Sequence, residues 1–437
     1  MDQVHEYKGY WWLPSNPKIK IAGILKYIPS ESIILELIGS FSHKNIIDTL
    51  QAKEPEEIIL GISSDAKDIT LLHSYSSGSL NFSSSFPIIR YKCSHLIVGM
   101  HIKSLEYKYF FKTFIKIPIL TRWCYPEAIS FNLPTSKDNE KKITLFLETN
   151  KKAKAEVTIE DLKLSIRPSI DYKLNFEEPH ISQYSALIIE SDNNLSINQI
   201  LNSIHLYCQF LSFATLNSVS IKKVILYNKE KYQIVDNNKI YNSIEYYIIN
   251  SYISQREESN NKEFLFNFNT IKNSYSQIIS KWFTQNQELA PIREHLIDSI
   301  KYKSVFSSVD FIIVIQAIEG FWWRFRDENY KTLHNIRINK RTSLKTIIEE
   351  LISEFSGIKK LNLENLNIPQ VIDSRHYFTH FVPKYQKPNT VDGWKLYEIS
   401  LKLRQLLICC ILNFVGFNNT EINNIINKCN NSIFSKF

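Results

Sequence analysis

Near the C-terminal end the chain reads VIDSRHYFTH, residues 371 to 380, which sets a guanidinium, Arg375, and an imidazole, His380, five positions apart. Arginine offers a permanent, forked charge that matches phosphate oxygens, and histidine is the side chain that titrates nearest neutrality. Together they suit phosphodiester chemistry that needs no metal, with His376 as a second imidazole beside them. The spacing alone does not mark a site, because it recurs at Arg90 and His95 inside IIRYKCSHLIVG, which reads as a half-buried strand. Context must carry the weight.

Two other readings of the same residues stay open. His376 and His380 form an HxxxH pair with the spacing of zinc-binding helices, but Tyr377 stands where a metalloprotease carries its general-base Glu. No third ligand is evident, so no metal or other cofactor is assigned. In the second reading Arg375 pairs with Asp373 or another acid and the histidines are packing residues.

The motif needs a frame, and the flanking residues supply a short helix. Asn367 can cap it, Pro369 suits a first-turn position that needs no N–H, and Val371, Ile372, Phe378 and Phe381 give apolar contacts before Pro383 stops propagation. On an ideal helix positions i and i+5 differ by about 140°, so Arg375 and His380 do not share a face, whereas His376 and His380 do. A partner surface is therefore expected to complete the site.

The 437 residues, 44% hydrophobic and 22% charged, suit two or three domains with real cores. Of the formal charge of +8, residues 271–437 hold 22 Lys+Arg against 15 Asp+Glu, or +7, which leaves +1 for residues 1–270. The basic excess lies with the motif and favours a polyanion partner. The six cysteines include no CxxC pair and sit mostly among apolar neighbours, as thiols of a reducing compartment do. No basic-then-apolar leader opens the sequence, and no apolar run reaches about 18 residues, so a cytoplasmic protein without a membrane span is expected.

Residues 1–170 read as β-rich. IKIAGILKYI, SIILELIGSF, EEIILGISS, ITLLHSYS, FPIIRYKCSHLIVGMHI and KITLFLET are short runs bounded by turn formers, which predicts a sandwich or barrel-like domain. Residues 171–270 read as a mixed α/β extension and linker. Within it, 196–215 has helical periodicity, VSIKKVILY and KYQIVD look like strands, and REESNNK at 256–262 is the best linker. Residues 271–437 read as all-α, with a first segment broken near Pro291, an apolar helix in SSVDFIIVIQAIEGFWWRFRD, and a long last helix closed by Gly416. The fold class is thus α+β. Between the second and last of these helices Lys331, Arg337, Lys340, Arg341 and Lys345 form the densest basic cluster, with His334 among them and Tyr330 beside it, able to track RNA phosphates or simply to face water.

The order FIIVIQAIEGFWWRFR, a charged segment, IPQVIDSRHYFTH, then a helix ending LLICCILNFVGF resembles the C-terminal domain of ApeA-like proteins, members of the HEPN superfamily. GYWWLP, and the stretch from LIVGMHI to LTRWCY, resemble the N-terminal domain of the same proteins, which is taken there as a sensor; Trp11, Trp12 and Trp123 are equally suited to packing. The HEPN signature is Arg, a polar residue, then His after four to six intervening positions, met here by Arg375, His376 and His380. Glu319 stands where family members often carry an acid.

The resemblance implies a HEPN-type helical bundle and a metal-independent endoribonuclease of anti-phage defence by abortive infection, with RNA, tRNA above all, as substrate. It also implies a homodimer with two motifs facing each other and a phage-derived trigger at the N-terminal domain. His380 would take the proton of a ribose 2′-OH and Arg375 would stabilise the phosphate charge, with His376 as second acid or phosphate orienter. The alternative is a non-catalytic HEPN-type module that binds nucleotide or protein, with the β domain for recognition. No Walker loop or GxSxG elbow supports another hydrolase.

Overall fold

Every strand of the N-terminal region hydrogen-bonds to its neighbours in an antiparallel ladder, and one set of ladders closes on itself. The computed structural model describes residues 4–29, 31–41, 56–76, 88–132, 144–149, 151–249, 264–302, 308–326 and 342–429. Strands β1 (His5–Trp12), β2 (Ile21–Ile28), β3 (Ser32–Ile38), β4 (Glu56–Ser63), β5 (Asp68–Ser76) and β6 (Ile88–Val98) run in the order β6-β3-β2-β1-β4-β5, and β5 pairs back onto β6. This is the barrel of the two architectures expected. Closure removes the free edges that a sheet of this size would otherwise expose.

The alternation of side chains decides what fills the barrel. Trp11, Leu25, Tyr27, Leu35, Ile59, Leu71 and Tyr91 all point into one buried cluster. Trp11 needs room that only glycine leaves: a Cβ on Gly61 would run into the Trp11 ring, and one on Gly23 would lie 2.5 Å from the Glu36 carbonyl oxygen. Trp11, Trp12 and Trp123 are 0%, 8% and 2% exposed, so the packing reading of all three holds.

β6 also starts an open sheet. Its first half pairs with β3 through Ile88–Cys93, and its last residues, from His95 to Val98, pair with β16 (Ile244–Ile248). From there the ladder continues through β13 (Lys223–Tyr227), β7 (Phe110–Lys116), β12 (His180–Leu195) and β11 (Leu162–Lys173) to β10 (Ala155–Ile159), while KITLFLET and KYQIVD fall in separate two-stranded hairpins, β8 (Ile129–Asn132) with β9 (Thr144–Leu147) and β14 (Tyr232–Val235) with β15 (Asn238–Tyr241). The segment 171–270, expected as a separate extension, thus supplies strands to the same sheet, and residue 170 falls inside β11. The linker REESNNK lies outside the described residues.

The chain divides into two units, residues 1–205 with 219–253, and residues 206–218 with 254–437. Residues 206–215 of helix α2 (Ile197–Thr215) belong to the second unit, and within it Trp282 Nε1 donates to the Leu206 carbonyl at 3.0 Å and the Tyr207 and Tyr275 hydroxyls meet at 3.1 Å. In the helical unit α4 (Tyr275–Thr284) and α5 (Asn286–Tyr302) part at Gln285, not at Pro291, which is held inside α5. Arg293, fully buried, lies 4.3 Å above the Trp282 ring and caps that junction by donating to the Trp282 carbonyl.

Helix α6 (Ser308–Phe325) buries Phe311, Val314, Ile315, Ile318 and Phe321 and packs against α5 and α9 (Gly393–Val415), as its apolar run predicts. Helix α7 (Leu344–Glu354) is tied to it by Trp322 Nε1 donating to Glu350 at 2.7 Å and by a two-pronged Arg326–Glu354 pair. Cys409 and Cys410 are fully buried in α9, and Gly416 (φ 125°) ends it. Helix α8 (Ile368–His380) lies on α6 and α7, with Phe311 and Phe378 edge to face at 6.4 Å. This cradle positions the motif.

Candidate functional site

Helix α8 begins as its sequence dictates. The Asn367 side chain accepts from the Gln370 N–H at 3.1 Å, and Pro369 occupies the first turn, where no N–H is required. Val371 and Ser374 face the core, Arg375 and His376 are half-buried, and His380 is exposed at the end of the helix. The helix ends at His380 because Phe381 turns left-handed (φ 54°, ψ 31°). Phe381 does not pack, as was expected of it; it is 85% exposed.

Arg375 and His380 meet. Nη1 of Arg375 donates to Nε2 of His380 at 3.1 Å. Helix periodicity sets the directions of Cβ atoms, not the reach of a long arginine side chain, and His380 is the last residue of the helix, where that reach suffices. A guanidinium only donates, so in this pair Nε2 carries the lone pair and the imidazole proton sits on Nδ1. The other arm of Arg375 faces Glu319 of α6, with Nη2 3.6 Å from Oε2 and both side chains about three-quarters covered. Glu319 therefore aims the guanidinium, and the acid partner of Arg375 is Glu319 rather than Asp373.

Asp373 has other work. Its Oδ2 accepts from the backbone N–H and the side-chain amide of Asn389 at 3.1 and 2.9 Å, and its Oδ1 lies 3.7 Å from Lys387. One residue on, Ser374 Oγ accepts from the Val391 N–H at 3.0 Å. These bonds fold the segment after the helix back along α8. Sequence reasoning missed Lys387, Asn389 and Ser374; the turn-forming KPNT run at 387–390 was the available signal.

The His376 ring lies 5.7 Å from that of His380, tilted by 36°. Partial burial lowers its pKa from the ordinary value, and the charges of Lys387 and Arg375 lower it further, with Asp373 opposing. Of the basic cluster, Lys345 stands on α7, 3.8 Å from Glu349, an exposed pair one turn apart. Lys331, Arg337, Lys340 and Arg341 lie outside the described residues, as do His334 and Tyr330. Among the described residues no group of three His, Cys, Asp or Glu is placed to hold a metal ion, and no helix is long and apolar enough to cross a membrane.

The second Arg-to-His pair behaves differently. On β6 a spacing of five puts the side chains on opposite faces. Arg90 pairs outward with Glu36 at 2.5 Å, while His95 turns inward, its Nδ1 3.0 Å from the Tyr246 hydroxyl. Burial first, then the neighbouring His73, pushes the His95 pKa down to about 4.

Comparison with known families adds two matches. Residues 6–282 match the model for ApeA N-terminal domain 1, and residues 312–421 match that for the Apea-like HEPN domain. No curated protein and no solved structure matches the chain. The first match covers the barrel, the open sheet and the chain as far as α4; the second spans α6 to the start of α10 (Asn419–Lys428) and includes Glu319, Arg375, His376 and His380.

Proposed function

Because this chain belongs to the ApeA family and carries an Apea-like HEPN domain, we propose that it is a metal-independent endoribonuclease acting in bacterial anti-phage defence by abortive infection. The observation that carries the reading is the Arg375–His380 contact of 3.1 Å at the end of α8, a phosphate-binding cation and a proton acceptor on one spot. The RNA phosphate replaces His380 as acceptor of the Arg375 N–H. That exchange frees His380 Nε2 to take the 2′-OH proton, so substrate binding itself arms the base.

The 2′-oxygen then attacks phosphorus, the bond to the 5′-oxygen breaks, and Arg375 stabilises the charge on the non-bridging oxygens. The products are a 2′,3′-cyclic phosphate and a 5′-OH once the leaving oxygen is protonated. His376 is suited to that last role only with substrate present: burial and the Lys387 and Arg375 charges favour its neutral form, and a bound phosphate anion favours its protonated one.

One short helix end contacts a phosphate from one side only. Two copies of the chain, with their α8 ends facing, complete the enclosure as a homodimer. The substrate is cellular RNA, tRNA in particular. The protein works in the cytoplasm, and the N-terminal barrel and sheet receive the phage-derived trigger. The test is RNA cleavage in EDTA by purified wild type, Arg375→Ala and His380→Ala. The reading predicts cutting by wild type and a loss of roughly 100-fold or more in either variant. Cutting by the variants at the wild-type rate, or inert wild type even with phage lysate added, leaves a binding module instead.

A further inference from the structure

Large aromatic rings that face water need a reason, and three follow His380 in the chain, at positions 381, 385 and 394. Phe381, Tyr385 and Trp394 are 85%, 81% and 71% exposed. Phe381 also holds a left-handed backbone conformation that glycine adopts freely and a bulky residue does not. Neither ring packing nor backbone economy accounts for a phenyl group there.

The segment carrying these rings is held firmly. Asn389 and Lys387 anchor it to Asp373, and the Val391 N–H binds Ser374. A 3₁₀ turn, Lys384–Gln386, presents Tyr385, and the ion pair of Lys384 with Asp392 at 3.3 Å joins that turn to the start of α9, where Trp394 stands. Trp394 is itself oriented by its indole N–H donating to Glu398 at 3.0 Å and by the Tyr397 ring at 5.1 Å. Cations interleave with the rings: Lys384, paired with Asp392, Lys387, paired with Asp373, and Lys395 all stand within the stretch 381–395.

Exposed rings on a pinned backbone, alternating with lysines, are the composition of a single-strand stacking surface, because every base has a face to stack and every linkage a charge to neutralise. We infer that Phe381 and Tyr385, with Trp394 beyond them, stack the unpaired bases that follow the scissile phosphate, so that the enzyme selects single-stranded RNA. This deepens the nuclease reading and rests on it. The basic surplus of residues 271–437, 22 Lys+Arg against 15 Asp+Glu, favours a nucleic acid as the occupant.

The test uses the full chain and a short single-stranded RNA that is 2′-O-methylated, and hence uncuttable, with binding read by fluorescence anisotropy in EDTA. Phe381→Ala and Tyr385→Ala should each weaken binding by about fivefold or more, with Phe381→Trp and Tyr385→Phe restoring it. An RNA of the same length with abasic positions should show no difference between wild type and the Ala variants, since no base remains to stack. An equal loss on normal and abasic strands overturns the inference, as does unchanged binding, or a fall in sedimenting mass that would assign these rings to contacts between copies. If the base-dependent loss is seen while wild type cuts no cleavable RNA, the stacking surface stands and the nuclease reading fails.

Discussion

In the proposed reaction Arg375 serves a phosphate while staying in place, and a flexible side chain does that only if something else holds it. Glu319 is that holder, 3.6 Å away on a different helix. Glu319→Gln keeps the size and removes the charge, so it should lower kcat by roughly 10- to 100-fold while the Kd for uncuttable RNA changes little. An unchanged kcat would make the pair incidental. His95 supplies a residue-scale prediction away from the site. It is held neutral between His73 and the Tyr246 hydroxyl, with its pKa down to about 4 against 6.5 for an unfolded chain. Between those values the unfolded chain binds more protons, so stability falls as pH drops through that window and is complete above pH 6.5. The loss by pH 4 should approach about 3 kcal/mol in thermal or urea melts, and His95→Gln should flatten the dependence. A pH-independent midpoint for wild type would contradict the assignment.

At the scale of elements, the alternation of Ile33, Leu35 and Leu37 in β3 and the glycines around Trp11 show how far local pattern reaches. Gly61→Ala pushes a methyl into the Trp11 ring, and overpacking of that kind should cost about 1–3 kcal/mol in a denaturant midpoint; a neutral result would mean that the barrel closes differently. Strands β2 to β6 were legible as short apolar runs bounded by turn formers, although β4 and β5 bury four residues in succession rather than alternate, and β1 was not marked as a strand. β12 was not: HISQYSALIIESDNNL is polar at both ends and shifts register between Glu190 and Leu195, so no period marks it. Helix α8 was legible from Asn367 and Pro369 at its start, the apolar positions along it and Pro383 beyond its end. The Arg375–His380 contact was not, because a helical wheel separates the two residues, and only the length of arginine and the helix end at Phe381 bring them together. Phe381 looked like core by type, and exposure is a property that residue type does not carry.

At the scale of the whole molecule, the basic surplus of residues 271–437 lies in the half that holds the motif, whereas residues 1–270 are close to neutral. That division suits a polyanion substrate at one end of the chain and a recognition function at the other. A composite site between two copies makes a distinct prediction. Inactive Arg375→Ala and His380→Ala chains, mixed and allowed to exchange, should regain part of the wild-type cleavage if each site draws Arg from one copy and His from the other. The contact within one chain, in which each copy supplies both residues, predicts that none is regained, and partial recovery would contradict it.

The most direct measurement uses an RNA with one cleavage position, made once with ribose and once with 2′-deoxyribose at the nucleotide that carries the attacking oxygen. With His380 as base and the 2′-oxygen as nucleophile, the ribose strand is cut in EDTA to a 2′,3′-cyclic phosphate and a 5′-OH, and the deoxy strand stays whole. Cutting of the deoxy strand, or 3′-OH ends from the ribose strand, would mean that water or another nucleophile attacks and that Arg375 and His380 do not work as described.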